Sequence, residues 1–419
     1  MERYYIKGGN KISGEHRVSG AKNAVLPLLA ATVMADGDSC IQNCPSLSDV
    51  DTMVKLLRTL GCRVKKEGAC ISVNTSGIHS VELPTVMMGA MRSSLFLLGP
   101  LLFRCGEAVL GLPGGCAIGR RPIDVHLDSL RQMGAEIYER GDLLICRSNC
   151  LKGTALHLPV PSVGATENLM MAAAGAEGET RICNAAREPE IVDLQKFLQA
   201  CGVKIKGAGS KEICVCGTTG SIHGAMHRAI ADRIEGGTFL LAAAMTGGTI
   251  RLKDIDSLYM KAFLKKLTEA GCRIIAGPKE ILLEAPERLR SVGCVKTKPY
   301  PGFPTDLQSP FLSAMARAEG TTCIEETIFE NRFGTAEELR KMGAKIKIKG
   351  CKATVFGVQC FYGAHVFARD LRGGAALVLA GLAAEGETVV ENICHIDRGY
   401  DKFEVALRRL GAKIERMRD

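Results

Sequence analysis

The chain has 419 residues, 46% of them hydrophobic and 24% charged, which is long enough for two or three domains of ordinary globular make-up. Lys and Arg number 54 against 45 Asp and Glu, a formal charge of +9, but no basic run is long, Trp is absent and aromatics are 5%. That pattern argues against a base-stacking nucleic-acid platform and leaves small anions as the natural partners of a basic cleft. The 18 cysteines are scattered, there is no Cys-x-x-Cys pair, and the chain starts Met1-Glu2-Arg3-Tyr4-Tyr5, so reduced thiols, a cytoplasmic location and no structural zinc site are expected. The longest apolar run, Leu95 to Phe103, is far short of a membrane span.

Taken in order, the chain repeats itself six times. A helix-ending phrase recurs at Leu60-Gly61-Cys62, Met133-Gly134-Ala135, Cys201-Gly202-Val203, Ala270-Gly271-Cys272, Met342-Gly343-Ala344 and Leu410-Gly411-Ala412, with glycine spacings of 73, 68, 69, 72 and 68 residues. A second marker, at Gly37, Gly106, Gly178, Gly247, Gly320 and Gly386, keeps step at 69, 72, 69, 73 and 66. Each unit begins with a helix apolar nearly all round, such as Ala24 to Met34, Leu169 to Ala176 and Ala375 to Ala384. Such a helix must be buried on every side. A Gly turn and a short strand follow, as in Thr180–Cys183 and Thr388–Glu391, then a one-sided helix with its apolar stripe on Val50, Met53, Val54, Leu57 and Leu60. The glycine after that helix suits a left-handed cap, and period-two strands such as Val203–Lys206 and Ala344–Ile348 complete a βαβαβ-like module. One module of about 70 residues is too small to enclose an all-apolar helix by itself.

Polar residues stand where the buried helices begin: Lys22-Asn23, Arg92-Ser93, Ser162 to Glu167, Arg233, Asp306 and Arg372. Each helix N-terminus offers unpaired N–H groups and about half a positive charge, so six on one cleft would total about +3 before screening. Between the second and third of these starts lies Leu112-Pro-Gly-Gly-Cys-Ala-Ile-Gly-Arg-Arg-Pro-Ile-Asp-Val-His126. It puts the Cys116 thiol in a glycine-rich loop beside Arg120 and Arg121, with Pro122 suited to the first position of a helix through Ile123, Val125, Leu127 and Leu130. Cationic neighbours and a helix N-terminus are the setting of a reactive cysteine. Further on, Lys298-Pro-Tyr-Pro-Gly-Phe-Pro-Thr-Asp306 is a proline-stiffened approach to an acid among many cations, where a carboxylate at neutral pH is expected. Arg332 and Arg398 fall in loops after short strands.

These residues resemble the bacterial UDP-N-acetylglucosamine enolpyruvyl transferases over essentially the whole chain. The likeness is carried by Ser19-Gly-Ala-Lys-Asn-Ala24, Pro113-Gly-Gly-Cys-Ala-Ile-Gly119, Arg121-Pro-Ile-Asp-Val-His126, Ser162-Val-Gly-Ala-Thr166, Asp232-Arg-Ile-Glu235, Pro301-Gly-Phe-Pro-Thr-Asp-Leu-Gln308 and Asp370-Leu-Arg372. The resemblance implies an α/β fold, a two-domain inside-out α/β barrel with three of the six repeated units per domain. One domain is residues 22–229 with the Cys116 loop as a lid. The other joins residues 1–21 to 230–419, and the substrates bind in the cleft between them.

The implied reaction moves the enolpyruvyl group of phosphoenolpyruvate onto the 3′-hydroxyl of UDP-N-acetylglucosamine, by addition and then elimination of phosphate, and commits the sugar to peptidoglycan synthesis. The resemblance assigns Cys116 as proton donor and as the atom that fosfomycin modifies. Asp306 takes the hydroxyl proton, and Lys22 and Arg398 complete the catalytic set. Lys22, Asn23, Arg121, Arg332, Arg372 and Arg398 hold phosphoenolpyruvate. Asn23, Arg92, Arg121, Pro122, Ile123, Asp124, Val125, Ser162, Val163, Gly164, Asp306 and Ile328 seat the nucleotide sugar. No metal or organic cofactor is implied. Val160 replaces a lysine of some members, Arg120 stands where a small residue is frequent, and Phe333-Gly-Thr-Ala-Glu-Glu338 departs from the usual Phe-Met-His stretch. Competing readings are transfer to another hydroxyl acceptor and a catalytically silent UDP-sugar-binding regulator. A nucleic-acid-binding repeat protein is a third, but the charges sit at helix starts and form no stripe.

Overall fold

The computed structural model describes residues 2–83, 92–111, 118–119, 123–218 and 222–418, with 92 and 93 described by their backbone alone. These residues separate into two compact units. The first takes residues 20–111 and 123–230. The second takes those up to 19, those from 231 onward, and residues 118–119. Each has its own apolar core.

The first unit is built of three repeats around three buried helices: Lys22–Ala31, Leu98–Cys105 (entered through a 3-10 turn at Arg92–Leu97) and Val163–Ala173. The first and third are apolar on all faces, and after their opening residues nearly every side chain is buried. Small residues let them meet: a Cβ on Gly99 would come 2.5 Å from the carbonyl oxygen of Asn168 on the neighbouring helix. Each repeat adds a sheet outside the helices. The first orders its strands Met226–Arg228, Asp38–Gln42, Cys70–Asn74, Arg63–Glu67, with the leading pair parallel and the others antiparallel. The third repeats this order with Ala155–His157, Glu179–Cys183, Glu212–Cys216 and Lys204–Lys206. Among the described residues the second has three strands, and an isolated parallel bridge from Glu82 to Val109 stands where the leading strand would be. The last strand of the unit, Met226–Arg228, thus edges the sheet of its first repeat, which closes the unit on itself.

The second unit follows the same plan around Arg233–Thr246, Gln308–Ala316 and Leu371–Leu382. The N-terminal strand Gly14–Arg17 edges its first sheet, and Glu2–Lys7 lies between Glu387–Glu391 and Lys413–Arg418 in its last, so the two ends of the chain share one sheet. Three buried helices inside a ring of sheets is the inside-out barrel that the resemblance implies, once in each unit. The repeat markers also match the backbone. All six glycines after the one-sided helices have φ between 93° and 101°, and all six of the second marker lie between 68° and 99°. These are left-handed turns that glycine makes without strain. Among the described residues no helix is long and apolar enough to cross a membrane.

Three local expectations need correction. Arg332 heads a 3-10 turn, Arg332–Gly334, and Arg398 ends another, Ile393–Arg398; neither lies in an open loop. The helix expected from Pro122 begins at Asp124, with Ile123 as its N-cap, and Pro122 itself lies outside the described residues.

One buried group is under electrostatic tension. Glu167, on the Val163–Ala173 helix, is fully buried and neither carboxyl oxygen has a hydrogen-bond partner among the described residues. Burial, and then the charges of Glu190 and Glu188, push its pKa well above the usual carboxyl range. Below that range the folded and unfolded chains are both protonated at this position. As pH rises, the unfolded chain loses the proton and the folded one keeps it, so folding stability falls. Glu167→Gln removes this linkage. The urea midpoint of the variant, relative to wild type, is predicted to rise as pH increases above about 4, where the carboxyl of the unfolded chain ionises. A difference that stays constant with pH would contradict a neutral Glu167.

Candidate active site

The second unit gathers three of the expected residues around one carboxylate. The proline-rich run up to Pro304 bars regular helix, and the chain makes a single 3-10 turn, Thr305–Leu307, before Gln308–Ala316 begins. Asp306 projects from that turn. Its Oδ1 accepts from Arg332 Nη2 at 2.9 Å and its Oδ2 from Arg372 Nη2 at 3.2 Å. Arg372 is the second residue of the Leu371–Leu382 helix, whose start is capped by Asp370 Oδ1 accepting from the amides of Arg372 and Gly373. Both arginines are buried, whereas the Asp306 side chain keeps 27% of its surface exposed.

Two guanidiniums share one carboxylate, so the cluster carries a surplus positive charge. Burial opposes that charge on Arg372, but Asp306, followed by Tyr400 and Asp232, outweighs it and holds the guanidinium above its ordinary pKa. Aromatic faces support both cations: Tyr400 lies 5.5 Å from Arg372 and Phe329 5.5 Å from Arg332. The Tyr400 hydroxyl is fixed in turn by Thr238 Oγ1 at 2.8 Å. Arg332 Nε and Arg372 Nη1 are buried with no hydrogen-bond partner among the described residues. Buried guanidinium N–H groups left unpaired beside surplus charge are suited to a bound anion.

Arg398 ends the Ile393–Arg398 turn, which packs on the start of the Leu371–Leu382 helix. A Cβ on Gly374 would come 2.8 Å from Ile396, and one on Gly399 2.6 Å from Leu371, so the turn bearing Arg398 packs tightly there. Arg398 has interactions of its own. Ile328 is partly exposed, and its amide donates to Glu326.

In the first unit Lys22 opens the Lys22–Ala31 helix, and its Nζ donates to Asp49 Oδ2 at 2.9 Å. Both side chains are largely buried. Asn23 follows, half-buried. A second group of expected residues meets at two helix starts: Ile123, Asp124 and Val125 on one, Ser162, Val163 and Gly164 on the other. Asn168 ties them together. Its Nδ2 lies 3.0 Å from His126 Nδ1 and donates to Leu95 O at 2.8 Å, and its Oδ1 accepts from Gly99 N at 3.0 Å. Gly164 faces the His126 ring, where a Cβ would sit 3.4 Å away. The backbone of Arg92 starts the Arg92–Leu97 turn. Cys116, Arg120, Arg121 and Pro122 lie outside the described residues, as does the side chain of Arg92.

Residues that the sequence reading missed hold this arrangement. Asp49 reads as an ordinary acid in the first turn of the Ser48–Thr59 helix. Glu326 is more informative. It is buried and accepts four bonds: Oε1 from Thr297 Oγ1 (2.8 Å), Ile328 N (2.8 Å) and Phe329 N (3.3 Å), and Oε2 from Thr305 Oγ1 (2.9 Å). It therefore ties the turn of Asp306 to the loop that leads into Arg332. Its signal in the sequence was phase: Thr322 and Ile324 point inward, and Glu326 follows at the same period.

Comparison with known proteins gives a consistent result. A family profile described as EPSP synthase (3-phosphoshikimate 1-carboxyvinyltransferase) matches residues 6–407. The chain is 47% identical over 417 residues to a UDP-N-acetylglucosamine 1-carboxyvinyltransferase 2 of Caldanaerobacter subterraneus, and 48% identical over 422 residues to a UDP-N-acetylglucosamine 1-carboxyvinyltransferase of Halorhodospira halophila, covering all of each chain. Among solved structures it is similar to the enolpyruvyl transferase NikO from Streptomyces tendae, with a TM-score of 0.90 at 26% identity over 99% of both chains. EPSP synthase from Acinetobacter baumannii shares the fold, with a TM-score of 0.76 at 20% identity over the full length of both.

Glu326→Gln keeps the shape but places an NH2 group among donors. It is predicted to lower unfolding free energy by roughly 1–3 kcal/mol in urea titrations. A loss within about 0.5 kcal/mol would mean that the four bonds do not hold the two segments.

Proposed function

Because the chain belongs to the UDP-N-acetylglucosamine 1-carboxyvinyltransferases, within the EPSP synthase family, we propose that it transfers the enolpyruvyl group of phosphoenolpyruvate to the 3′-hydroxyl of UDP-N-acetylglucosamine, releasing phosphate. The observation that supports this chemistry most directly is Asp306 held between two buried guanidiniums that retain unpaired N–H groups.

The reaction needs three things from the protein. The sugar hydroxyl must lose a proton as its oxygen bonds to C2 of phosphoenolpyruvate; the methylene carbon must gain one in the addition and the resulting methyl must give one up in the elimination, restoring the C=C bond; and phosphate must leave as its bond to C2 breaks. Asp306 is the acceptor for the hydroxyl proton. Two flanking cations keep it ionised, and they make it a weak base in the ground state. Transfer therefore accompanies C–O bond formation, when the hydroxyl becomes strongly acidic. Arg332 and Arg372 meet the carboxylate and phosphate charge of phosphoenolpyruvate with the donors that Asp306 leaves unused, and they stabilise the departing phosphate. Lys22, Asn23, Arg121 and Arg398 add to that anion site. Asp49 holds the Lys22 ammonium in place. Cys116 supplies the proton to the methylene carbon: an ordinary thiol is mostly protonated at neutral pH and still acidic enough to donate. The same thiol is the nucleophile toward fosfomycin. The two helix starts at Asp124–Val125 and Ser162–Gly164, with Arg92 and Ile328, seat the nucleotide sugar through N–H groups and the helix dipole.

The test is phosphate release from phosphoenolpyruvate with and without UDP-N-acetylglucosamine, with mass analysis of the nucleotide. Release that depends on the sugar, with an enolpyruvyl gain in mass, is expected. Sugar binding without release would instead mark a silent regulator, and release with a different acceptor would overturn the acceptor. Cys116→Ser should lose fosfomycin labelling; labelling that persists at another residue would remove Cys116 from that role.

A further inference from the structure

Outside the candidate site, one pair of side chains is placed for covalent chemistry. Cys40 and Cys70 lie on adjacent antiparallel strands of the first unit, Asp38–Gln42 and Cys70–Asn74, in register Cys40 to Ser72 and Gln42 to Cys70. Along both strands the inward positions are Ser39, Ile41, Ile71 and Val73, so the two cysteines share the outer face. Their Sγ atoms are 2.7 Å apart. This is about 0.65 Å beyond the ~2.05 Å length of an S–S bond. Both side chains are partly exposed. Among the described residues no three His, Cys, Asp or Glu side chains converge as metal ligands, so the pair has no place in a metal cluster of that kind.

We propose that Cys40 and Cys70 form a dithiol site that is oxidised to an intrachain disulfide by exchange with a low-molecular-weight disulfide. One thiolate of the pair attacks a sulfur of the small disulfide, forming a mixed disulfide and expelling one small thiolate. The other cysteine then gives up its proton to solvent and attacks the mixed disulfide, expelling the second. Two protein thiols are oxidised, one small disulfide is reduced to two thiols, and one S–S bond forms in the chain.

The hydrogen bond to Cys40, then partial burial, push the Cys70 thiol up to about 11, so the S–H of one sulfur is shared with the other. That sharing keeps the second sulfur beside the first for the closing step. Cys44, four residues on, is buried and donates to Ile41 O; burial, with the neighbouring Cys70 and Cys40, pushes its thiol up to about 12. It is thus the poorer competitor. The new bond would close the segment that contains the Ser48–Thr59 helix, which bears Asp49.

The test treats the reduced full-length chain with oxidised glutathione, blocks remaining thiols with iodoacetamide, and maps peptides by tandem mass spectrometry. The expected product joins the Cys40 and Cys70 peptides with loss of two hydrogens, reverts with dithiothreitol, and raises the unfolding midpoint because a loop of about thirty residues is closed in the unfolded chain. Cys44→Ser should still form it, and Cys70→Ser should stop at a glutathione adduct on Cys40. Cys40 and Cys70 both recovered alkylated, each carrying its own glutathione, or Cys40 linked to Cys44 would overturn the proposal. The wild-type map decides this even if a variant does not fold.

Discussion

A helix that is apolar on every face can show solvent only its ends. That constraint shapes the whole chain. Each unit must wrap three central helices, most of them of this kind, which takes three repeats and a ring of sheets, and each closes with strands from elsewhere in the sequence: Met226–Arg228 in the first, and the N-terminal Glu2–Lys7 and Gly14–Arg17 in the second. Polar function is then confined to the helix termini and the turns that pack on them. Lys22, Arg92, Ser162, Arg233, Asp306 and Arg372 all stand at helix or 3-10 turn starts, or at the caps that precede them, for this reason.

Those starts are stabilised by caps and by a few buried ions that the helices could not tolerate elsewhere. Ser162, Asp232 and Asp370 cap three of them through side-chain oxygens. The remaining charge is concentrated. Asp306 bonds two buried guanidiniums, with Asp232 a lesser counter-charge to Arg372, and buried cations without full compensation are costly unless a ligand supplies the missing charge. In the proposed reaction, phosphoenolpyruvate brings that charge. The unpaired guanidinium donors of the cluster and the binding of an anion are thus two sides of one arrangement. Glu326 and Tyr400 hold the geometry while the charge is unbalanced.

Repetition made most of the fold legible from sequence. Two glycine markers in step fixed the six units, and all twelve glycines adopt the left-handed turns that the markers imply. The all-apolar stretches fixed which helices are central. Long motifs fixed the family. What stayed hidden depends on pairing across distant segments. Nothing local tells that Asp306 bonds both Arg332 and Arg372, or that Lys22 is held by Asp49, because each contact is made by the fold and the partners are dozens of residues apart. Arg332 reads as a surface residue in a loop and is in fact buried. Glu326 was readable in principle from its inward phase on the strand, but the adjoining Glu325 disguised it as one of a solvated pair. The Cys40–Cys70 contact was lost among 18 cysteines, since only register brings a residue of one strand against the next.

The surplus charge around Asp306 is the central claim, and calorimetric titration of phosphoenolpyruvate in the absence of UDP-N-acetylglucosamine, where no acceptor allows turnover, tests it most directly. Arg372→Gln leaves Asp306 paired with Arg332 and removes the excess cation. The account predicts that the variant stays folded and binds phosphoenolpyruvate roughly tenfold or more weakly, the worth of one lost charge-assisted hydrogen bond. Equal affinity in the folded variant would show that the second guanidinium serves packing alone, and that the anion is held elsewhere.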